Sequence, residues 1–341
     1  MKKIVFRVDG NATIGAGHIM RCLSIANAAK EKNIDCIFIT SDSSFEQSIV
    51  KTGFKNIILN SNYLNISSDF VSFGYFLNKE MPDLVIVDSY FANNDLFDFL
   101  KKNFKVLFVD DLNLFDQNVD YLLNYNEYAF DLGYTSKFSQ KKYLLGASFV
   151  PLRQEFQNLD EIKTKSEVKS VFFSAGGADP ERICLSFVKK IISLGIFNDL
   201  VFHLILGKFE PDKELIREIC KNHKGFILHE NINNMSQVIR ECDLAISAAG
   251  STLYEICACG VPCITFITEE NQVLGAKAFS KKGIMLCAGD YRTDKNLYDS
   301  IASQISELVN SFFKRKEMHD KALKLVDGKG AERIIDFVVA N

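Results

Sequence analysis

At 341 residues the chain exceeds one average domain, and two domains of about 150–180 residues each are the expected organisation. A formal charge of −3, with 47% of residues apolar, offers no electrostatic basis for binding nucleic acid or an anionic membrane surface. No apolar run approaches the roughly 20 residues that span a bilayer, and the first residues lack a signal-peptide core, so a cytoplasmic protein is expected.

Short apolar runs alternate with helical spacing along the whole chain, which predicts parallel sheets covered on both faces. In the first half the runs fall at 3–8, 36–40, 84–88 and 105–109, with weaker ones at 57–59, 121–123 and 143–145. Ile19, Cys22, Leu23, Ala26 and Ala29 recur at helical spacing and predict a helix over 18–32, closed by Asn33 in a left-handed turn. Residues 158–169 turn polar and charged and predict a linker between domains 1–157 and 168–341. The second half predicts strands at 170–174, 201–206, 226–228, 244–248, 262–267 and 284–287. Its helices are expected over 181–194, 212–222, 235–241, 252–259, 272–282 and from 296 onward. The fold class expected is α/β: two doubly wound Rossmann-like domains facing a cleft, with ligand beyond the carboxyl ends of the strands.

The first strand runs through Asp9 into Gly15-Ala16-Gly17-His18 and a helix. A glycine-rich turn admits close backbone approach, and a helix N-terminus presents unpaired N–H groups to an anion. The positive end of the helix dipole disfavours imidazolium at His18, which makes a neutral general base the expected state. Arg21, one turn along the same face, contacts phosphate or pairs with an acid. The strands at 84–88 and 105–109 deliver Asp88-Ser89-Tyr90 and Asp110-Asp111, whose acids serve either as turn caps or as ligands. In the second half, Ser174-Ala175-Gly176-Gly177-Ala178-Asp179 precedes a helix that can start at Pro180, and Ala249-Gly250-Ser251-Thr252 precedes another containing Glu255. Two such turns form a diphosphate cradle, with Glu255 accepting from ribose hydroxyls.

Gly15-Ala16-Gly17 also resembles the opening of a dinucleotide fingerprint, with Asp42 near the ribose-acid position. Met20 occupies the third glycine position, however, and the loop from Asp9 is longer than a tight dinucleotide turn. Nine cysteines raise the question of metal. Cys257 and Cys259, two apart in a predicted helix, do not share a face, so reduced, buried thiols and no metal site are expected.

Taken in order, Phe6-Arg7-Val8-Asp9, Ile14-Gly15-Ala16-Gly17-His18-Ile19-Met20-Arg21, Val87-Asp88-Ser89-Tyr90, Val109-Asp110-Asp111-Leu112 and Pro151-Leu152-Arg153-Gln154-Glu155-Phe156 resemble a known family. So do Gly176-Gly177-Ala178-Asp179, Gly250-Ser251-Thr252-Leu253-Tyr254-Glu255, Glu270-Asn271-Gln272 and Asp327-Gly328-Lys329-Gly330. The family is the UDP-2,4-diacetamido-2,4,6-trideoxy-β-L-altropyranose hydrolases of pseudaminic acid biosynthesis, and the likeness covers nearly the whole chain. The resemblance implies a glycosyltransferase B fold used for metal- and cofactor-free hydrolysis of a UDP-sugar, with inversion. It implies His18 as general base, with Tyr90 and Asn271 assisting. It further implies substrate contacts from Asp9, Gly17, Arg21, Arg153, Gly176, Gly177, Gly250, Ser251, Thr252 and Glu255, with Leu228 and Met235 at the uracil. A glycosyltransferase of the same fold and a non-catalytic nucleotide-sugar binder are the open alternatives.

Overall fold

The computed structural model describes residues 1–11, 13–134, 142–177, 179–207 and 210–341. The chain divides into two compact units, Met1–Gln154 with Gly328–Asn341, and Glu155–Asp327.

The first unit runs β1 (Lys3–Val8), α1 (Gly17–Glu31), β2 (Asp35–Thr40), α2 (Glu46–Lys51), β3 (Lys55–Ile58), α3 (Phe70–Glu80), β4 (Leu84–Asp88), α4 (Asn94–Leu100), β5 (Lys105–Val109), β6 (Tyr121–Asn124) and β7 (Lys142–Leu145). Its seven strands are all parallel, in the order β3-β2-β1-β4-β5-β6-β7. The order reverses between β1 and β4, where Val8 lies beside Asp88. β4 reads LVIVD and every residue is buried, as a strand covered on both faces requires. Val5, Val85, Val87, Phe97 and Phe108 join one apolar core beneath these strands. Asn33 closes α1 with a φ of 58°, the left-handed turn expected there.

The second unit runs β8 (Ser170–Ser174), α5 (Ile183–Leu194), β9 (Val201–Ile205), α6 (Lys213–Asn222), β10 (Phe226–His229), α7 (Met235–Glu241), β11 (Leu244–Ala248), α8 (Thr252–Cys259), β12 (Cys263–Ile267), α9 (Val273–Lys281), β13 (Met285–Asp290), α10 (Leu297–Asn310) and α11 (Phe312–Leu325). Six parallel strands are ordered β10-β9-β8-β11-β12-β13, reversing between β8 and β11. Phe173 stacks on Phe187 at 4.0 Å between centroids, fastening α5 to β8 at the middle of the core.

Two features depart from expectation. The last helix, α12 (Gly330–Ala340), packs on the first unit and not on the second, as the expected 168–341 domain required. Ile334, Ile335 and Val338 are buried, Lys32 pairs with Asp336 at 2.5 Å, and Arg333 donates to the Ser148 carbonyl at 2.9 Å. A Cβ on Gly330 would run into the Val150 carbonyl, so the close approach needs glycine. An amphipathic pattern shows that a helix buries a face but not which core receives it. The second departure is α5, which begins at Ile183 rather than near Pro180. Asp179 and Arg182 hold positive φ (47° and 56°), and the Asp179 carboxylate accepts from the Ile183 and Cys184 amides at 2.9 and 2.8 Å.

Candidate functional site

In the first unit the reversal point of the sheet carries a dense polar cluster. Gly15 turns the loop after β1 with a φ of 74°, and its amide donates to the Asn11 carbonyl at 2.8 Å. Nothing lies within 4 Å of the Cβ position on Gly17, the first residue of α1, so open space faces the backbone there. His18 follows and is buried, as is Asp88 at the end of the neighbouring β4. Their Nδ1 and Oδ1 atoms are 2.5 Å apart.

Arg21 binds Asp88 in bidentate fashion, Nε to Oδ2 at 2.6 Å and Nη2 to Oδ1 at 2.5 Å. Its Nη1 donates to Asp111 at 3.1 Å and to the Tyr125 hydroxyl at 2.7 Å. Burial by itself would raise the Asp88 carboxyl, but the Arg21 guanidinium and His18 outweigh it and hold the group well below the usual carboxylate range. A carboxylate in that state only accepts, so the proton between the pair belongs to His18 Nδ1, and in the neutral tautomer that fixes, the lone pair is on Nε2. Nε2 takes no hydrogen bond from a described residue. The 3.1 Å separation of Arg21 Nη2 and His18 Nδ1 is then a close approach of two donors.

Tyr90 stands edge-on to the imidazole, with centroids 4.7 Å apart. Its hydroxyl donates to Asp111 at 3.0 Å, and burial together with the Asp111 charge pushes the phenol above its ordinary pKa. Burial also lifts Tyr125, to about 12, against the pull of Arg21. Asp88 and Asp111, read from the sequence as either turn caps or ligands, organise the site by holding Arg21, His18 and Tyr90. Asp88 ends the apolar strand β4 and Asp111 follows β5 by two residues, positions that a turn-capping acid would occupy equally well.

Two residues implied as substrate contacts make internal pairs. Arg21 meets Asp88, Asp111 and Tyr125, so its donors serve internal carboxylates; the reason is that two buried acids need a cation. Asp9 is likewise turned inward, receiving Arg7 Nη1 at 2.7 Å and the Ser41 amide at 2.6 Å. Arg7, entirely buried, also reaches Asp69 at 2.9 Å. A charged residue inside the apolar run of KIVFRV, beyond the lysine that opens it, was the sequence signal for this clamp. Arg153 lies partly buried ahead of the short turn Gln154–Phe156, on the first unit.

The second unit gathers the remaining candidates at its own reversal point. Gly176 and Gly177 follow β8, and Gly250, Ser251 and Thr252 follow the adjacent β11. No atom lies within 4 Å of a Cβ built on Gly176, Gly177 or Gly250, and Gly176 holds a φ of 107°. Ala178, within the same motif, lies outside the described residues. Ser251 opens α8 without capping it through its side chain, so amides of the first turn stay unpaired by it. Glu255 sits one turn inside α8, half-buried. Leu228 lies in β10 and Met235 at the first position of α7, whose Ser236 amide donates to Glu155 at 3.0 Å. Asn271 is exposed in a single turn, Glu270–Gln272, after β12. A cavity of about 540 Å³ nearby is lined by Glu181, Thr268, Glu269, Tyr291 and Arg292, and Asn271 is not part of its wall.

Among the described residues no group of three or more His, Cys, Asp or Glu is arranged to hold a metal ion, and no helix is long and apolar enough to cross a membrane. All nine cysteines are free thiols.

Comparison with known proteins bears on both units. Residues 176–336 match the glycosyltransferase family 28 C-terminal domain. An uncharacterised Methanocaldococcus jannaschii protein is 27% identical over 79% of this chain and 56% of its own length, so the chain spans about half of that relative. The UDP-2,4-diacetamido-2,4,6-trideoxy-β-L-altropyranose hydrolase of Campylobacter jejuni is 25% identical over 82% of this chain and 97% of its own. The crystal structure of Acinetobacter baumannii MurG superposes with a TM-score of 0.71 at 12% identity, covering 99% of this chain and all of the other. The fold is that of the glycosyltransferase B enzymes.

Proposed function

We propose that this protein is an enzyme acting on UDP-sugars, and specifically that it hydrolyses UDP-2,4-diacetamido-2,4,6-trideoxy-β-L-altropyranose to UDP and the free sugar. The observation that carries the reading is His18, held by Asp88 with Nε2 free to take a proton at the strand ends of the first unit. The Campylobacter relative, matched over nearly its full length, supports the substrate.

In this reading His18 Nε2 accepts a proton from water as the oxygen attacks the anomeric carbon from the face opposite the nucleotide. The bond to the β-phosphate oxygen breaks, UDP leaves with the electron pair, and the configuration inverts. Amides at Gly176, Gly177 and the start of α8 hold the diphosphate charge, and so much of the barrier is met by electrostatic stabilisation of the leaving group. Glu255 takes the ribose, Leu228 and Met235 flank the uracil, and Asn271 assists at the sugar. The base adds roughly 10²–10⁴-fold. No metal ion enters the proposed reaction.

A transferase using a sugar hydroxyl in place of water is the second reading, favoured by the family 28 match over residues 176–336. Incubation of the purified protein with the altrose-configured UDP-sugar in heavy-oxygen water separates the two. UDP release without an acceptor, with label in the free sugar, is expected. A strict acceptor requirement would favour the transferase, label in UDP would contradict attack at carbon, and binding without turnover would leave only a nucleotide-sugar binder.

A further inference from the structure

The first-unit cluster has a direction to its hydrogen bonds that bears on which nucleophile it accepts. His18 Nδ1 gives its proton to Asp88, and the Tyr90 hydroxyl gives its proton to Asp111 at 3.0 Å. Both donors therefore point inward, each onto a carboxylate. Arg21 bridges the two acids, with Nε and Nη2 on Asp88 and Nη1 on Asp111. Asn126 Nδ2 adds a third donor to Asp111 at 3.0 Å, which leaves the carboxylate committed to accepting. What remains outward is a lone pair on His18 Nε2 and the lone pairs of a phenol oxygen whose residue is 47% exposed, on rings 4.7 Å apart.

We propose that Asp111 is a positioning residue that makes Tyr90 a hydrogen-bond acceptor, so that His18 and Tyr90 together select a nucleophile with two hydrogens to donate, water, over an alcohol. The inference rests on the hydrolase reading and adds a specificity determinant to it. Water donates one hydrogen to His18 Nε2 and the other to Tyr90 Oη, and its lone pair meets the anomeric carbon. As the carbon–oxygen bond forms, the first hydrogen passes to Nε2 as a proton. The second stays on the new sugar hydroxyl, and UDP departs with the bonding electrons. An alcohol satisfies only one acceptor, and leaving the other unpaired in a partly buried site costs about a tenfold preference.

The test is partitioning in water–methanol mixtures, with the altrose-configured UDP-sugar as substrate and free sugar and methyl glycoside as products. The unmodified protein should form methyl glycoside about tenfold below methanol's molar share. Tyr90→Phe keeps the ring against His18 and removes only the hydroxyl, and should bring the ratio to within about threefold of that share. Asp111→Ala removes the oxygen that accepts from Tyr90, which frees the phenol proton to turn outward; it should shift the ratio the same way. UDP release by both variants with the unmodified partition would overturn the inference and leave the hydrolase reading standing. Equal use of methanol and water by the unmodified protein would do the same. Absence of UDP release from the unmodified protein would overturn both.

Discussion

The two units place their candidate residues at the same topological position, the reversal point of a parallel sheet, yet build them from different material. In the first unit the chemistry is in side chains: Arg21, Asp88, Asp111, His18 and Tyr90 each satisfy another, and most are buried. In the second unit the candidate surface is backbone, with open space over Gly176, Gly177 and Gly250 and no side-chain cap from Ser251 on α8. A side-chain network is sensitive to changes of hydrogen-bonding type at constant size. A backbone surface is sensitive to added atoms even where charge is untouched.

The largest effect should come from the network. His18→Asn is expected to lower turnover by roughly 10²–10⁴-fold while UDP affinity, measured by calorimetry, stays within about threefold. Unchanged turnover would remove His18 from the role of base. Asp88→Asn should lower kcat by about 10²-fold, since an amide can meet Nδ1 with either end and no longer selects the tautomer.

Stability comes next. Arg21→Gln leaves two buried carboxylates without their cation and should cost about 3–5 kcal/mol in urea unfolding. A loss below about 1 kcal/mol would mean the acids are solvated, contrary to the burial observed. Asp88, held below the usual carboxylate range, contributes stability that is present above that range and lost as pH falls through and below it. Asp88→Asn should accordingly flatten the acid limb of the stability profile.

For the backbone surface, two glycines give opposite expectations. Gly177→Ala meets no neighbour within 4 Å, so Tm should hold while UDP affinity falls by about tenfold, the cost of keeping a diphosphate from close approach. Gly207→Ala would drive a methyl into the Gly177 carbonyl and should lower Tm by several degrees, about 4 °C or more. If Gly177→Ala bound UDP as well as the unmodified protein, that turn would not be the diphosphate surface.

An effect that shows only against pH lies just behind the same turn. Burial, with Asp179 and Asp212 nearby, lifts Glu210 to about 7. The folded form binds this proton more tightly than the unfolded chain does, so stability should decline as pH rises from about 4.5 to 7 and then level off. Glu210→Gln should remove that decline, gaining about 1–3 kcal/mol at pH 8 and little at pH 5.

Much of this organisation was legible beforehand. β1, β4, β5, β8 and β11 fall where their apolar runs do, because strands covered on both faces need mostly apolar residues. Helices α2, α3 and α4 were not legible; two are six and seven residues long and too short to show a period. Among the site residues, His18 announced itself by its place after Gly15-Ala16-Gly17. Asp88 and Arg21 did not, since they are 67 positions apart and nothing local distinguishes a strand-end acid that caps a turn from one that holds a guanidinium. Asp9 and Arg21, which the family resemblance implied as substrate contacts, form internal pairs.

The sequence by itself determined the alternation of strand and helix, the two parallel sheets and the glycine turns at their strand ends, because periodicity and backbone freedom are local properties. Only the tertiary structure decided that α12 returns to the first unit, that Arg21 serves two carboxylates, and that the protons of His18 and Tyr90 point inward. Those outcomes depend on which distant groups are buried together, and a buried charge takes whatever partner the fold brings within hydrogen-bond reach.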